Sequence, residues 1–172
     1  MTNGMLDQIE RAEHLADIMA QVGFTLWQLQ ELEGCAAQYF VLLVQATQGM
    51  GRTPGEALVE QAQSKTFGAT IRQLAKAGLL DDELSSRFNA LLDERNWLVH
   101  RSKADSRDAV HNKDRARQFV HRLEAIGDET DALLKKIVGM AQRFVTERGV
   151  STQEIAQATR QLLQQWQSGD AH

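Results

Sequence analysis

No run of alternating β-branched residues bounded by turn chemistry occurs in this 172-residue chain. Without a strand there is no Gly-rich loop leading from strand to helix, and the sheet-based nucleotide folds are excluded. Proline is almost missing: Pro54 is the single example. Cys35 is the single cysteine, so no internal disulfide and no cysteine-rich metal site can form. It lies in an apolar helical pattern and reads as a small buried residue. No apolar run approaches the ~18 residues of a membrane span. The start, MTNGMLDQIERAEH, has no basic stretch followed by an apolar one, so it does not read as a signal peptide. The expectation is a reduced, cytoplasmic protein with no membrane contact. His14, His100, His111, His121 and His172 stand in no recognised metal-ligand spacing. No serine has a nucleophile motif around it. Neither a metal nor another cofactor is expected.

What the chain does have is a helical composition. Hydrophobic residues make up 42%, enough for a core, and Ala, Leu, Gln, Glu and Arg dominate. The pattern predicts an all-α, antiparallel helical bundle with short connections. Residues 5–20 read as a first helix, with Leu6, Ile9, Ala12, Ala16 and Met19 on one side. Residues 22–48 form a second, with Val22, Leu26, Leu29, Glu33, Ala36, Phe40 and Leu43 at steps of four and three. Thr53-Pro54-Gly55-Glu56 opens a short helix through a capping box. Thr66 starts another, stopped by Gly78. Asp81 or Asp82 caps a helix with Leu84, Phe88, Leu91, Leu92, Arg95, Leu98 and Val99 inward. Residues 102–112 are polar and read as a loop.

A seven-residue repeat runs from Phe119 through Leu123, Ile126, Thr130, Leu133, Ile137 and Met140 to Phe144. It is either one long bundle helix or a dimer seam, with Gly127-Asp128 a candidate break, and an intramolecular core is the expectation. Ser151-x-x-Glu154 is a further capping box, opening a Gln-rich last helix with Ile155, Ala158, Leu162 and Trp166 on one side. The chain divides at 1–148, the bundle, and 149–172, the appended helix and tail.

Net charge is −4, but unevenly spread. Between Arg95 and Arg122 eight Lys/Arg stand against three acids, a +5 segment on a −9 remainder. Such a patch is either a solvated face or a guide for a phosphate backbone. At its start lies DERNWLVHRS, residues 93–102. Asn96 and His100 are one helical turn apart, whereas Arg95 and His100 are separated by about 140° and about 7.5 Å. The pair converges only if a second surface, such as a dimer partner, completes a cleft. His100 can move a proton near neutral pH, and Arg95 can hold phosphate and the charge that grows on it during attack. With Asn96 to orient histidine or substrate, the set suits cleavage of RNA through its 2′-hydroxyl. A chance pairing on a solvated helix is the competing explanation. Glu33, a carboxylate in an apolar seam, either pairs, with Arg95 the attractive partner, or lies at a rim where it reaches water. Trp97 either stacks a base or packs at an interface; packing is the expectation.

Arg95-Asn96-Trp97-Leu98-Val99-His100 resembles the Arg–polar–three residues–His signature of the HEPN superfamily (higher eukaryotes and prokaryotes nucleotide-binding domain). Upstream, Lys65-Thr66-Phe67-Gly68-Ala69-Thr70-Ile71 is similar to a Lys-Thr-x-Gly-x-x-Ile/Leu segment of some members. The resemblance spans roughly residues 20–145. It implies a homodimeric helical bundle and, in many members, a metal-independent endoribonuclease of toxin–antitoxin or other defence systems. It also implies Arg95, Asn96 and His100 as the catalytic set. Arg101, Lys103 and Arg107 would guide the RNA, and an antitoxin or regulatory protein is a further expected partner. Ser102 stands where one toxin branch carries a modified tyrosine, so control by that modification is not implied. The other reading is a non-catalytic HEPN-like module binding a nucleotide, RNA or a protein.

Overall fold

The computed structural model describes residues 2–47 and 49–168. Gln48, at the expected end of the second helix, and the tail 169–172 with His172 lie outside the described residues, as does the side chain of Leu6. The described residues form seven α-helices and no strand: α1 Thr2–Phe40, α2 Arg52–Gln63, α3 Phe67–Lys76, α4 Asp82–His100, α5 Ser102–His111, α6 Lys113–Thr146 and α7 Thr152–Ser168. α1 ends in a wider π-helical turn, Val41–Gln45.

The two long helices α1 and α6 make the most extensive contact in the molecule. They run the same way: Gln28 lies against Gly127, and Tyr39 feels the charge of Arg143. α4 runs antiparallel to α6, with Arg87 bonded to Glu129 at one end and Arg122 to Glu94 at the other. One continuous core joins these elements. It includes Leu29, Leu32 and Ala36 of α1, Leu74 of α3, Phe88 and Leu91 of α4, and the buried face of α6. Phe67 and Phe88 meet edge to face at 6.2 Å. Burying each such leucine or phenylalanine contributes roughly 2 kcal/mol.

The seven-residue repeat of α6 is spent inside the chain. Phe119, Leu123, Ile126, Thr130, Leu133 and Ile137 are all buried, so it is core and not a dimer seam. Thr130 is tolerated there because its hydroxyl donates to the carbonyl of Ile126. Gly127 does not break the helix. A Cβ at this position would sit 3.0 Å from Oε1 of Gln28, so the missing side chain admits α1.

Three boundaries differ from the sequence reading. The helices expected at 5–20 and 22–48 are one, because neither a cap nor a proline interrupts residues 20–23, and an internal glycine such as Gly23 costs a helix only about 1 kcal/mol. Residues 102–111 form α5 and not a loop. Ser102 and Ala109 are buried, and Asn112 then caps α6 by accepting from the N–H groups of Asp114 and Arg115. α2 begins at Arg52, behind Gly51 with φ of 80°, so Thr53 lies inside the first turn. Glu56 pairs with Arg52 at 2.6 Å instead of reaching back to a cap. The other starts hold: Thr66 accepts from Ala69 N–H, Asp81 from Leu84 N–H, and Ser151 and Glu154 form a reciprocal box.

Candidate functional site

Three arginine–glutamate pairs hold the helices around the motif. Arg87 donates to Glu129 through both Nε and Nη2, at 2.8 and 3.0 Å. Arg122 grips Glu94 in the same two-pronged way, at 2.7 and 3.1 Å. Arg95 differs. Its Nε donates to Oε1 of Glu33 at 3.0 Å, and no other side-chain hydrogen bond of its guanidinium occurs among the described residues. Two of the three forks are therefore filled by one carboxylate, and the third keeps its terminal amino groups available. The pair is neither buried nor fully solvated, with the Arg95 and Glu33 side chains 30% and 25% exposed. Glu33 sits on α1 between Leu29 and Ala36, which are fully buried, so its position is fixed by core packing one turn to either side.

Asn96 and His100 lie on the outer face of α4, both exposed. Helix geometry separates Arg95 from His100 by about 140°, and within one chain nothing bends α4 to bring them together. His100 makes no side-chain hydrogen bond among the described residues. Beside Glu33, a cavity of about 210 Å³ runs between α1, α2 and α3, lined by Gln30, Gly34, Gln63, Lys65 and Thr70 among others. It includes Lys65 and Thr70 from the upstream segment, so that segment and Glu33 share one surface. His100 is not among its walls. Arg101, Lys103 and Arg107 are exposed along the α4–α5 junction and α5.

Trp97 packs, as expected, but within its own chain. It is buried, and its indole N–H donates to Asp105 of α5 at 2.7 Å. One face carries the Arg122 guanidinium at 3.6 Å, and Phe119 lies at 5.6 Å between ring centroids. A ring so enclosed has no face left for a base. Arg122, counted with the basic run, is committed to Glu94 and Trp97 and does not serve as a free phosphate contact. Val99, expected inward, is 45% exposed, because the side of α4 that turns in after Leu91 holds Trp97 and Leu98. Ser102 is buried and donates to the carbonyl of Leu98.

No match to this chain is found among protein-family models, curated proteins or solved structures. Cys35 is half-buried, and burial together with the charge of Glu31 pushes its thiol up, which disfavours the reactive thiolate. Sequence reasoning found Glu33 from a charge in an apolar seam. It missed the Glu94–Arg122–Trp97–Asp105 cluster, whose members lie up to 28 residues apart and carry no local signal. It also left His14, His111 and His121 scattered. They line one groove between α1 and the α5–α6 corner, although no group of three or more metal-capable side chains closes there among the described residues.

Proposed function

We propose that this chain is an endoribonuclease of the HEPN type, in which Arg95 binds the scissile phosphate and His100 moves the proton. The observation that carries this reading is the half-used fork of Arg95. Glu33 holds the guanidinium by Nε alone, so the remaining donors can take two phosphate oxygens. His100, exposed and unpaired among the described residues, would accept the proton of a 2′-hydroxyl. That oxygen attacks phosphorus, the 5′-oxygen leaves and takes up a proton, and a 2′,3′-cyclic phosphate remains. Arg95 stabilises the charge on the crowded phosphorus. Asn96, one turn before His100 on the same face, orients the imidazole or the ribose. Arg101, Lys103 and Arg107 guide the backbone of the RNA.

Because Arg95 and His100 diverge around α4, the active cleft needs a second subunit. A homodimer whose two copies of α4 face each other across a twofold axis supplies it. A defence or toxin-like role in the cytoplasm, checked by an antitoxin or regulatory protein, follows from the HEPN resemblance. The same divergence favours the second reading, a non-catalytic HEPN-like module that holds RNA, a nucleotide or a protein on the α4–α5 face.

Labelled RNA incubated with the full chain in EDTA separates the two. Cleavage to 2′,3′-cyclic ends is expected, with His100→Ala and Arg95→Ala each losing at least about 100-fold in rate. RNA left equally intact by wild type and both variants, with binding retained, assigns the chain to the second reading.

A further inference from the structure

Lys65 and Thr70 stand on the walls of the cavity beside Glu33, and the fold leaves both without a firm partner. Thr70 is only 3% exposed, yet its hydroxyl makes no hydrogen bond among the described residues. Buried Ser102 and Thr130 instead donate to carbonyls one turn back. Among the described residues no buried polar side-chain atom is sealed off without a partner, so the free Thr70 hydroxyl has to open onto the cavity. Lys65 is half-buried and pairs with no carboxylate among the described residues. Its ammonium reaches Gln73 Oε1 only at 3.4 Å and lies 5.8 Å from the ring centre of Phe40.

The cavity, of about 210 Å³, has room for about seven waters at about 30 Å³ each. That is less than the ~300 Å³ at which pockets for drug-sized ligands begin, and it suits one ring system rather than a whole nucleotide. Its walls sort the occupants by charge. Glu33 opposes an anion seated beside it, and Lys65 opposes a cation. An apolar guest would leave Thr70 and Lys65 unpaired and cover the Gln30 and Gln63 amides. What remains is a small neutral or zwitterionic molecule that offers donors and acceptors together. Thr70, Gln30 and Gln63 can each donate and accept, and Lys65 donates. The edge of a nucleobase matches such a set, since N–H donors lie next to carbonyl or ring-nitrogen acceptors along it. Place decides between a base and a free zwitterion. Glu33 is both a wall of the cavity and the group that holds Arg95 Nε, so the cavity lies one side chain away from the guanidinium whose remaining donors take phosphate.

We propose that this cavity seats one nucleobase of the RNA beside the phosphate held by Arg95, and that Thr70 and Lys65 select the base. The proposal rests on the ribonuclease reading for what brings the base there. A slot with fixed polar partners discriminates, because a base of the wrong pattern leaves the Thr70 hydroxyl or the Lys65 ammonium unpaired. Gly34 keeps the slot open. It is one of the walls, and a Cβ added there would stand 3.5 Å from Nε2 of Gln63 across the cavity. That is ordinary contact, so α1 tolerates a side chain at this position while the cavity loses its space.

Titration of the isotopically labelled full chain with adenosine, guanosine, cytidine and uridine in turn tests the slot without any chemistry. One nucleoside is expected to shift the amide signals around Gly34 and Thr70, with a Kd on the order of 1 mM or below. Thr70→Val keeps the shape and removes only a hydroxyl that the fold does not use, and Gly34→Leu fills the space. Each should weaken that binding about tenfold or more, with circular dichroism confirming that both variants remain folded. In RNA cleavage, Thr70→Val should also flatten the preference for the base beside the cut. No nucleoside shift at those amides overturns the slot even if RNA is cut. So does equal binding of every nucleoside, binding unchanged in either variant, or a stronger response to glycine or inorganic phosphate than to any nucleoside. Nucleoside binding that both variants weaken, in a chain that cuts no RNA, keeps the slot and ends the ribonuclease reading instead.

Discussion

At Glu33 a single carboxylate sits where an apolar side chain would ordinarily pack, and Arg95 compensates for it. Replacement by glutamine keeps the shape and removes the charge. Glu33→Gln should lower stability by only about 1 kcal/mol in urea denaturation, because both side chains are partly solvated. If Glu33 aims the guanidinium, the same variant should lower the rate of RNA cleavage while RNA affinity stays nearly constant. A purely structural carboxylate would move stability alone. Trp97 is the opposite case, a residue whose contacts are all internal. Asp105, Arg122 and Phe119 occupy its edge and face, and Trp97→Ala should cost about 3–5 kcal/mol by the same measurement. The sequence brings both residues to notice for similar reasons, but only the positions of their partners separate a poised side chain from a packed one.

Among the elements, α5 shows how far polarity misleads. Its ten residues contain five that are charged or histidine, yet Ala109 packs inside and Asp105 ties the helix to Trp97. A loop and a thin amphipathic helix look alike when only one face in three is apolar. The start of α7 was legible in its capping box. Glu154 accepts from the backbone N–H and hydroxyl of Ser151, and these bonds hold its carboxyl below the ordinary range. The folded value is depressed, so the cap contributes in full above the ordinary carboxylate range and is lost as pH falls through the folded value. Protection of the amides of residues 152–155, measured against the intrinsic exchange rate at each pH, should therefore fall on acidification. In Glu154→Gln that protection should be low already at neutral pH and should lose the dependence.

For the molecule as a whole, the parallel pairing of α1 and α6 sets where everything else lies. At Gly127 the end of the Gln28 side chain occupies the space where a side chain would stand. Gly127→Ala asks only the end of Gln28 to move and gains helix propensity, so it should be within about 1 kcal/mol of wild type. Gly127→Leu forces the helices apart and should cost about 1–3 kcal/mol, read by thermal and urea unfolding. Helix content, the buried stripe of α6 and most helix starts were written in local spacing, since a period of 3.6 and a capping side chain act within a few residues. Glu33 and Arg95 were also visible, one as a misplaced charge and the other within a motif. The direction in which the long helices run, the enclosure of Trp97 and the commitment of Arg122 to Glu94 were decided by the tertiary structure. Each depends on which helix lies next to which, and contacts between residues 22 to 99 positions apart leave no periodic trace in the chain.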